Sequence, residues 1–278
     1  LELGGTAIDA AISAQMVLNL VEPQSSGIGG GGFILYYDAK TKNIYAWDGR
    51  EKAPMNFSER VFLNSDGKKK GFIEAVSGGL AVGVPSLVTM LEKAHEVHGN
   101  MQWKLLFEDS IKLSTEGFVV GKRLSKLTSR APHLKNQETA REYFNIDNGG
   151  LLEGTLKKNL KFADTLKLIR DKGSKAMLTG ELADNILSTV TEHKSSPGLM
   201  TKKDFSFVKP ALTKPTCGKY RKWKICGMGP PSSGGITILQ ILGILNNFEL
   251  SSNNPNDPEV WHLFLEASKL AYTDRGYY

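Results

Sequence analysis

The sequence predicts an α+β fold, because hairpin-forming and helix-forming stretches occupy separate parts of the chain. β-rich runs occur at residues 33–47 and again at 207–225, whereas the pattern between residues 85 and 200 is helical. Two long helical patterns follow, at 236–245 and 260–272. Segregated helices and hairpins are typical of α+β proteins rather than of a repeated βαβ array. We find no internal repeat and no low-complexity linker.

The composition and charge of the chain favour a soluble globular protein over a membrane protein or a nucleic-acid-binding protein. The chain has 278 residues, 40% of them hydrophobic, and its mean hydropathy is −0.25, which is typical of a soluble globular protein. No apolar run approaches the ~20 residues that a membrane span requires. The net charge is +6, but apart from Lys68–Lys70 and the 219–224 stretch the lysines are scattered, so we interpret them as solvated and predict no nucleic-acid partner.

The first element is predicted to be a buried helix over residues 6–21, which is Ala-rich with apolar positions at helical spacing and is ended by Pro23. Residues 1–5 are interpreted as the tail and glycine cap of an earlier helix, so we expect a segment before Leu1. The runs 33–37 and 43–47, separated by a polar turn, predict a hairpin.

The helical stretch begins with Pro85, interpreted as a helix-start proline. Further helical patterns cover residues 103–113, 160–169 and 183–190. Near the end, Ser232 and Ser233 precede a helical pattern, and capping of that helix is favoured over contact with a ligand.

The two cysteines, Cys217 and Cys226, flank a possible hairpin. A two-residue turn at Arg221–Lys222 would place them at a non-hydrogen-bonded pair with Cα atoms about 4.5 Å apart, within disulfide range. Arg-Lys lacks the Gly or Asn that such turns prefer, and a slipped register would separate the sulfurs. A disulfide, which would imply an oxidising compartment, and two buried thiols both remain open.

The clearest chemical signal is the dipeptide Arg50–Glu51, which follows the predicted hairpin. Arginine can grip a carboxylate bidentately, and an adjacent glutamate can order the guanidinium or pair with an ammonium group. The pattern therefore indicates a receptor for an amino-acid-like substrate. The competing interpretation is an ordinary surface ion pair.

Two other patterns are discounted. Residues 27–32 match G-x-G-x-x-G, but a helix precedes them and a strand follows, which is the reverse of a dinucleotide site. These glycines are expected to form a tight corner that lets the backbone approach closely near the substrate. The run from His95 to His98 has Gly99 where a zinc motif needs histidine, so we predict cations at a helix end and no metal site.

Taken together, a glycine-rich segment and five further motifs resemble the large subunit of the γ-glutamyltranspeptidases. In chain order, these six segments are Thr6–Ala11, Glu22–Phe33, Asp48–Pro54, Gly83–Pro85, Pro230–Gly235 and Ala271–Arg275. The chain departs from the family pattern at Ser86, where a glycine is usual, and at Gly229, where a proline is usual. Both differences are interpreted as loop variation.

This resemblance implies the four-layer αββα sandwich of the N-terminal nucleophile hydrolases, completed by a separate small subunit from the same precursor. Residues 1–278 would form a single large-subunit domain. The sandwich elements would lie at about 1–84 and 205–278, with a helical lobe at about 85–204.

The resemblance also implies transfer or hydrolysis of the γ-glutamyl group of glutathione and related compounds, with water, an amino acid or a peptide as acceptor. The threonine nucleophile would lie on the partner chain, so no catalytic residue is expected here, and no cofactor. Arg50 would grip the glutamyl α-carboxylate with Glu51 beside it. The alternatives are a cephalosporin or glutaryl acylase and a non-catalytic binding or scaffold protein. The implied location is periplasmic or extracellular.

Overall fold

The computed structural model describes residues 1–250, 254 and 256–277, with only the backbone described at Pro132. The chain divides into two compact units. Unit 1 comprises Leu1–Gly32 and Gly49–Pro210, and unit 2 comprises Phe33–Asp48 and the part of the chain from Ala211 onward. Both helices and strands are present, as the α+β prediction requires. Within the described residues, none of the helices combines the length and apolarity needed to cross a membrane.

Unit 1 begins with helix α1, Ala7–Val21, which confirms the predicted helix. Its N-terminus is a capping box: the Thr6 hydroxyl accepts a hydrogen bond from the Asp9 N–H at 3.3 Å, and the Asp9 carboxylate accepts one from the Thr6 N–H at 2.7 Å. The helix ends at its C-cap, Glu22, directly before Pro23.

The rest of unit 1 is mainly helical, in agreement with the pattern between residues 85 and 200. Its remaining helices are α2 Phe72–Val76, α3 Leu87–His98, α4 Glu108–Glu116, α5 Lys122–Thr128, α6 Glu138–Tyr143, α7 Leu160–Lys172, α8 Lys175–Leu178 and α9 Glu181–Thr191. Short 3-10 turns occur at Gly79–Ala81, Trp103–Phe107, Pro132–Asn136, Ile146–Asn148 and Asp204–Phe207.

Two details differ from the predicted elements of unit 1. Pro85 does not start α3; it precedes Ser86, which is the N-cap. A small antiparallel pair, β3 (Phe118–Val119) with β4 (Leu156–Lys157), interrupts the helices. Two-residue strands are too short to show an alternating pattern, so the sequence carried no signal for them.

Hydrophobic clusters of buried residues form the interior of unit 1. One joins α1 to the β3–α5 region through the buried residues Leu20, Phe118, Val120, Leu124 and Leu151. Another joins α9 to the chain that follows it and to the segment before α3. Its buried residues are Val84, Ala183, Val190, Met200 and Phe205. Unit 1 therefore has an apolar interior of its own.

Unit 2 contains a three-stranded sheet in the order β1–β2–β5, formed by Gly32–Asp38, Asn43–Gly49 and Ala211–Thr213. Strands β1 and β2 are hydrogen-bonded neighbours joined by four residues, which is too short for a parallel crossover, so the predicted hairpin is confirmed. Strand β5 pairs antiparallel with β2, with Trp47 opposite Leu212.

A second hairpin in unit 2 pairs β6, Thr216–Tyr220, with β7, Trp223–Gly227. Cys217 lies directly opposite Cys226, and a disulfide joins them across Cα atoms 4.1 Å apart. Of the two possibilities left open by the sequence, the structure thus shows the bridge.

The turn of this hairpin is Arg221–Lys222, as the register argument required. Arg221 has the left-handed φ of 54° that normally favours Gly or Asn. Its N–H donates to Asn246 Oδ1 at 3.1 Å, and its guanidinium donates to the Asn246 carbonyl at 3.2 Å. These bonds to the end of the following helix compensate for the unfavourable turn residue.

Helices α10, Gly234–Leu245, and α11, Pro258–Arg275, complete unit 2 and pack against each other. Gly235 at the start of α10 lies against β7, where a Cβ atom on Gly227 would come within 2.6 Å of the Gly235 Cα. Only glycine permits this close approach between the helix and the strand.

Candidate substrate-anchoring site

Arg50 and Glu51 follow strand β2 directly and form an ion pair. The Arg50 Nε and Glu51 Oε1 atoms are 3.2 Å apart, and 50% and 31% of the two side-chain surfaces are exposed. The Glu51 carboxylate thus contacts the Nε edge of the guanidinium, and half of the arginine side-chain surface is exposed. Exposed ion pairs contribute little to stability and are common on protein surfaces. A functional role for this pair must therefore be judged from the residues around it.

The glycine-rich corner packs directly on Glu51. A Cβ atom added at Gly31 would collide with the Glu51 carboxylate and backbone nitrogen and with the Gly49 carbonyl. The expected close approach is therefore found at this glycine. In contrast, Gly27 and Gly29 have open space around the same position.

The segment that begins at Gly83 also lies against Glu51. A Cβ atom on Gly83 would come within 2.7 Å of Glu51 Cγ. The Val84 N–H donates to the Lys52 carbonyl at 2.9 Å, in an isolated antiparallel bridge between these two residues. Three separate motifs of the sequence, residues 27–32, 48–54 and 83–85, therefore meet around Glu51 in unit 1.

Ser86 is the residue whose contact sequence reasoning missed. It does not lie on an exposed loop surface: only 7% of it is exposed, and its hydroxyl donates to the Gly49 carbonyl at 2.6 Å. The one available signal was its departure from the family pattern beside the Gly83–Pro85 motif. A single sequence does not show that residues 49 and 86 meet, because they are 37 positions apart.

Asp9, in the first motif, has a structural role. Its buried carboxylate accepts hydrogen bonds from Thr6, and also from the Asn100 N–H at 3.0 Å and the Met101 N–H at 3.3 Å. Burial works against ionisation, but these donors outweigh it and hold the pKa of Asp9 below its ordinary value. The residue ties the start of α1 to the loop after α3.

His95 and His98 lie in the last turn of α3, as predicted. His95 Nε2 lies 2.9 Å from the Met101 carbonyl oxygen and 3.4 Å from Asp9 Oδ1. Across the described part of the chain, no three His, Cys, Asp or Glu side chains are grouped in a way that could hold a metal ion.

The two C-terminal motifs meet each other in unit 2. Ser233 is the N-cap of α10 but makes no capping bond; its hydroxyl accepts a hydrogen bond from Arg275 Nε at 2.7 Å. The Ser232 hydroxyl instead accepts from the Gly234 N–H at 3.3 Å. The predicted capping role thus falls to Ser232, and Ser233 links α10 to the end of α11.

Comparison with solved structures places this fold among the γ-glutamyltranspeptidases. The γ-glutamyltranspeptidase of Helicobacter pylori superposes with a TM-score of 0.92 at 32% identity, over 99% of this chain and 78% of that one. A cephalosporin acylase from Bacillus halodurans has a TM-score of 0.82 at 25% identity, over 98% of this chain and 50% of that one.

The sequence comparisons lead to the same family. The family model described as Gamma-glutamyltranspeptidase matches residues 1–278, so the chain belongs to the γ-glutamyltranspeptidase family. The glutathione hydrolase proenzyme of Bacillus subtilis (strain 168) is 39% identical over 278 residues, which are 100% of this chain and 47% of that protein. The chain spans about half the length of the curated relatives it matches.

Proposed function

We propose that this chain is the large subunit of an autoprocessed γ-glutamyltranspeptidase that transfers or hydrolyses the γ-glutamyl group of glutathione and related compounds. The observation that carries the proposal is the half-exposed Arg50–Glu51 pair, held where three motifs of the family meet. Membership of the family and a relative named glutathione hydrolase proenzyme support it.

In this proposal Arg50 binds the α-carboxylate of the glutamyl group. The planar guanidinium suits a carboxylate, and its Nε edge already contacts Glu51, which fixes its orientation. Glu51 then lies close enough to the anchor to attract the α-ammonium group of the same ligand. An L-amino-acid end would be recognised through both of its charges.

The bond-breaking groups belong, in this proposal, to a small subunit from the same precursor. A threonine hydroxyl there attacks the γ-carbonyl carbon, its own α-amino group takes the proton, and that proton passes to the departing amine. The resulting glutamyl ester reacts with water, an amino acid or a peptide. The half-length match to relatives named proenzymes supports a second subunit.

The finer fold and the location follow from the same proposal. The large and small subunits together would form the four-layer αββα sandwich of the N-terminal nucleophile hydrolases. The Cys217–Cys226 disulfide supports a periplasmic or extracellular location, because such bonds persist in oxidising compartments.

Substitution of Arg50 tests the proposal. In the assembled enzyme, Arg50→Ala should raise KM for L-γ-glutamyl-p-nitroanilide about thirty- to hundredfold, the cost of removing a charged anchor. The 4-aminobutyryl anilide, which lacks the carboxylate, should be hydrolysed with unchanged KM. Arg170→Ala is a matched control, since Arg170 also pairs through Nε with the next residue, at 2.9 Å. An Arg50 variant that behaves like the Arg170 variant would refute the assignment.

Two other functions make different predictions. A cephalosporin or glutaryl acylase, favoured by the similarity to the Bacillus halodurans acylase, would prefer the glutaryl anilide, which lacks the α-amino group, to the γ-glutamyl anilide. A non-catalytic scaffold would show no turnover of either anilide. An intact-mass spectrum of the denatured protein should reveal a second chain beginning with threonine if the transpeptidase proposal is right.

A further inference from the structure

The backbone on both sides of Arg50 and Glu51 is held by one short segment of chain. On one side the Ser86 hydroxyl donates to the Gly49 carbonyl at 2.6 Å. On the other side the Val84 N–H donates to the Lys52 carbonyl at 2.9 Å. The two anchor residues therefore lie between two fixed peptide groups, and Ser86 supplies the only side chain in these two bonds.

Ser86 is itself held firmly. Its N–H and that of Leu87 both donate to the Gly30 carbonyl, at 3.1 and 3.0 Å. Gly30 belongs to the glycine-rich corner that packs on Glu51 through Gly31. The serine thus connects the start of α3 to the glycine corner through its backbone and to the anchor segment through its hydroxyl.

The Gly49 peptide has little freedom to find another partner. A Cβ atom at Gly49 would overlap the Met90 side chain, so the backbone lies directly on α3. Ser86 is buried, and its bond to Gly49 is shielded from solvent. Removing the hydroxyl would take this donor away from the Gly49 carbonyl, and we expect the peptide that leads into Arg50 to rotate or to bind water in its place.

We propose that Ser86 is a positioning residue that sets the direction of the Arg50 guanidinium through the Gly49 carbonyl, and so favours substrates that carry an α-carboxylate. The inference rests on the proposed role of Arg50. A family member with glycine at this position would lack this bond, so Ser86 would distinguish this chain in how rigidly it presents the anchor.

Ser86→Ala in the assembled enzyme is the primary test. It should raise KM for L-γ-glutamyl-p-nitroanilide about three- to tenfold, the net worth of one neutral hydrogen bond, while kcat stays unchanged. KM for 4-aminobutyryl-p-nitroanilide should not change, because that substrate offers Arg50 no carboxylate. Ser86→Thr, which retains a hydroxyl, should restore a KM close to that of the wild type.

Ser110→Ala provides the matched control. Ser110 is also fully buried in unit 1, and its hydroxyl donates to the Phe107 carbonyl at 2.9 Å, away from the anchor. This variant should lose stability to a similar extent without any change in KM. If Ser110→Ala raises KM as much as Ser86→Ala does, the effect is general loosening and the inference is overturned.

A double-mutant cycle separates this inference from the function on which it rests. In an Arg50→Ala background, Ser86→Ala should have no further effect on KM, since the group it positions is gone. If Arg50→Ala raises KM but Ser86→Ala does not, only the role of Ser86 is overturned. If Arg50→Ala leaves KM unchanged, both the anchor and the inference are overturned. A KM for Ser86→Thr as high as that for Ser86→Ala would also refute the role of the hydroxyl.

Discussion

Units 1 and 2 differ in what they do with their apolar side chains. Among the described residues, the largest fully buried side chains, such as Ile12, Met16, Phe107 and Ile169, all belong to unit 1. Unit 2 contributes none of them. Large apolar side chains are exposed in both units, and five of those in unit 2 lie on helix α11. The difference indicates that unit 1 is stabilised mainly by its own interior, whereas unit 2 has apolar surface still to cover.

Helix α11 shows the contrast most clearly. Only Ala267 and Ala271 of this 18-residue helix are buried. Five of its large apolar residues are exposed to between 42% and 62%: Trp261, Phe264, Leu265, Leu270 and Tyr272. A helix that buries two alanines and exposes three aromatic rings is typical of a surface that contacts a partner. The small subunit of the proposed enzyme would be that partner.

The two units also differ in the contacts that join their segments. In unit 1 the buried side chains of Asp9 and Ser86 form hydrogen bonds that tie distant segments together. In unit 2 a disulfide stabilises a hairpin whose strands are partly exposed. The proposed substrate anchor therefore stands on the unit with the more complete interior, which suits a site that must hold its geometry.

The largest effect is expected from Asp9 in unit 1. Asp9→Ala should lower the free energy of unfolding by about 3–4 kcal/mol at pH 7, because backbone donors of Thr6, Asn100 and Met101 lose a buried charged acceptor. Urea denaturation of the assembled protein would measure this. Asp184→Ala, which removes an exposed pair with Lys202, should cost under about 0.5 kcal/mol.

The same variant has a defined pH dependence. Since the pKa of Asp9 is lower in the folded protein than in the unfolded chain, its ionisation stabilises the fold above about pH 4. That contribution is lost as the pH falls through the lowered pKa of the folded state. The difference in the free energy of unfolding between wild type and Asp9→Ala should therefore shrink below pH ~4. A difference that stays constant down to pH ~2 would contradict the assigned role of the Asp9 carboxylate.

The disulfide of unit 2 should have the next largest effect. The double variant Cys217→Ser, Cys226→Ser should lower the free energy of unfolding by about 2–3 kcal/mol. The reason is that the bridge joins residues nine positions apart and so restricts the unfolded chain. Hydrogen exchange should accelerate in β6 and β7 and stay unchanged in α1. Equal acceleration in both elements would mean that the two units do not differ in the proposed way.

The smallest effect concerns the exposed face of α11. Trp261→Ser should weaken association with the small subunit by about 2 kcal/mol, or about thirtyfold, as expected for an aromatic interface anchor. The measurement is the fraction of large chain that co-purifies with the small subunit across a dilution series. Leu156→Ser is the control, since Leu156 in unit 1 is 61% exposed compared with 54% for Trp261. Equal effects of the two substitutions would show that the exposed face of α11 does not bind the small subunit more strongly than other exposed apolar residues do.

The elements with long, regular patterns were predicted well from the sequence. Helix α1 has its N-cap, its apolar spacing and its proline stop within one stretch of chain, and the β1–β2 hairpin has its turn between its strands. Each is determined by contacts between near neighbours. The strands β3 and β4 were missed because each is two residues long and finds its partner about 40 positions away.

By itself, the sequence determined the motifs, the candidate anchor Arg50–Glu51 and the possible register of the cysteine hairpin, since these depend on residue type and local spacing. Only the tertiary structure decided that Gly31, Gly83 and Ser86 surround the anchor, that Ser233 bonds Arg275 rather than capping α10, and that the cysteines are joined. The physical reason is that such contacts require particular atoms from distant segments to lie within hydrogen-bonding or van der Waals distance. No local pattern encodes that distance.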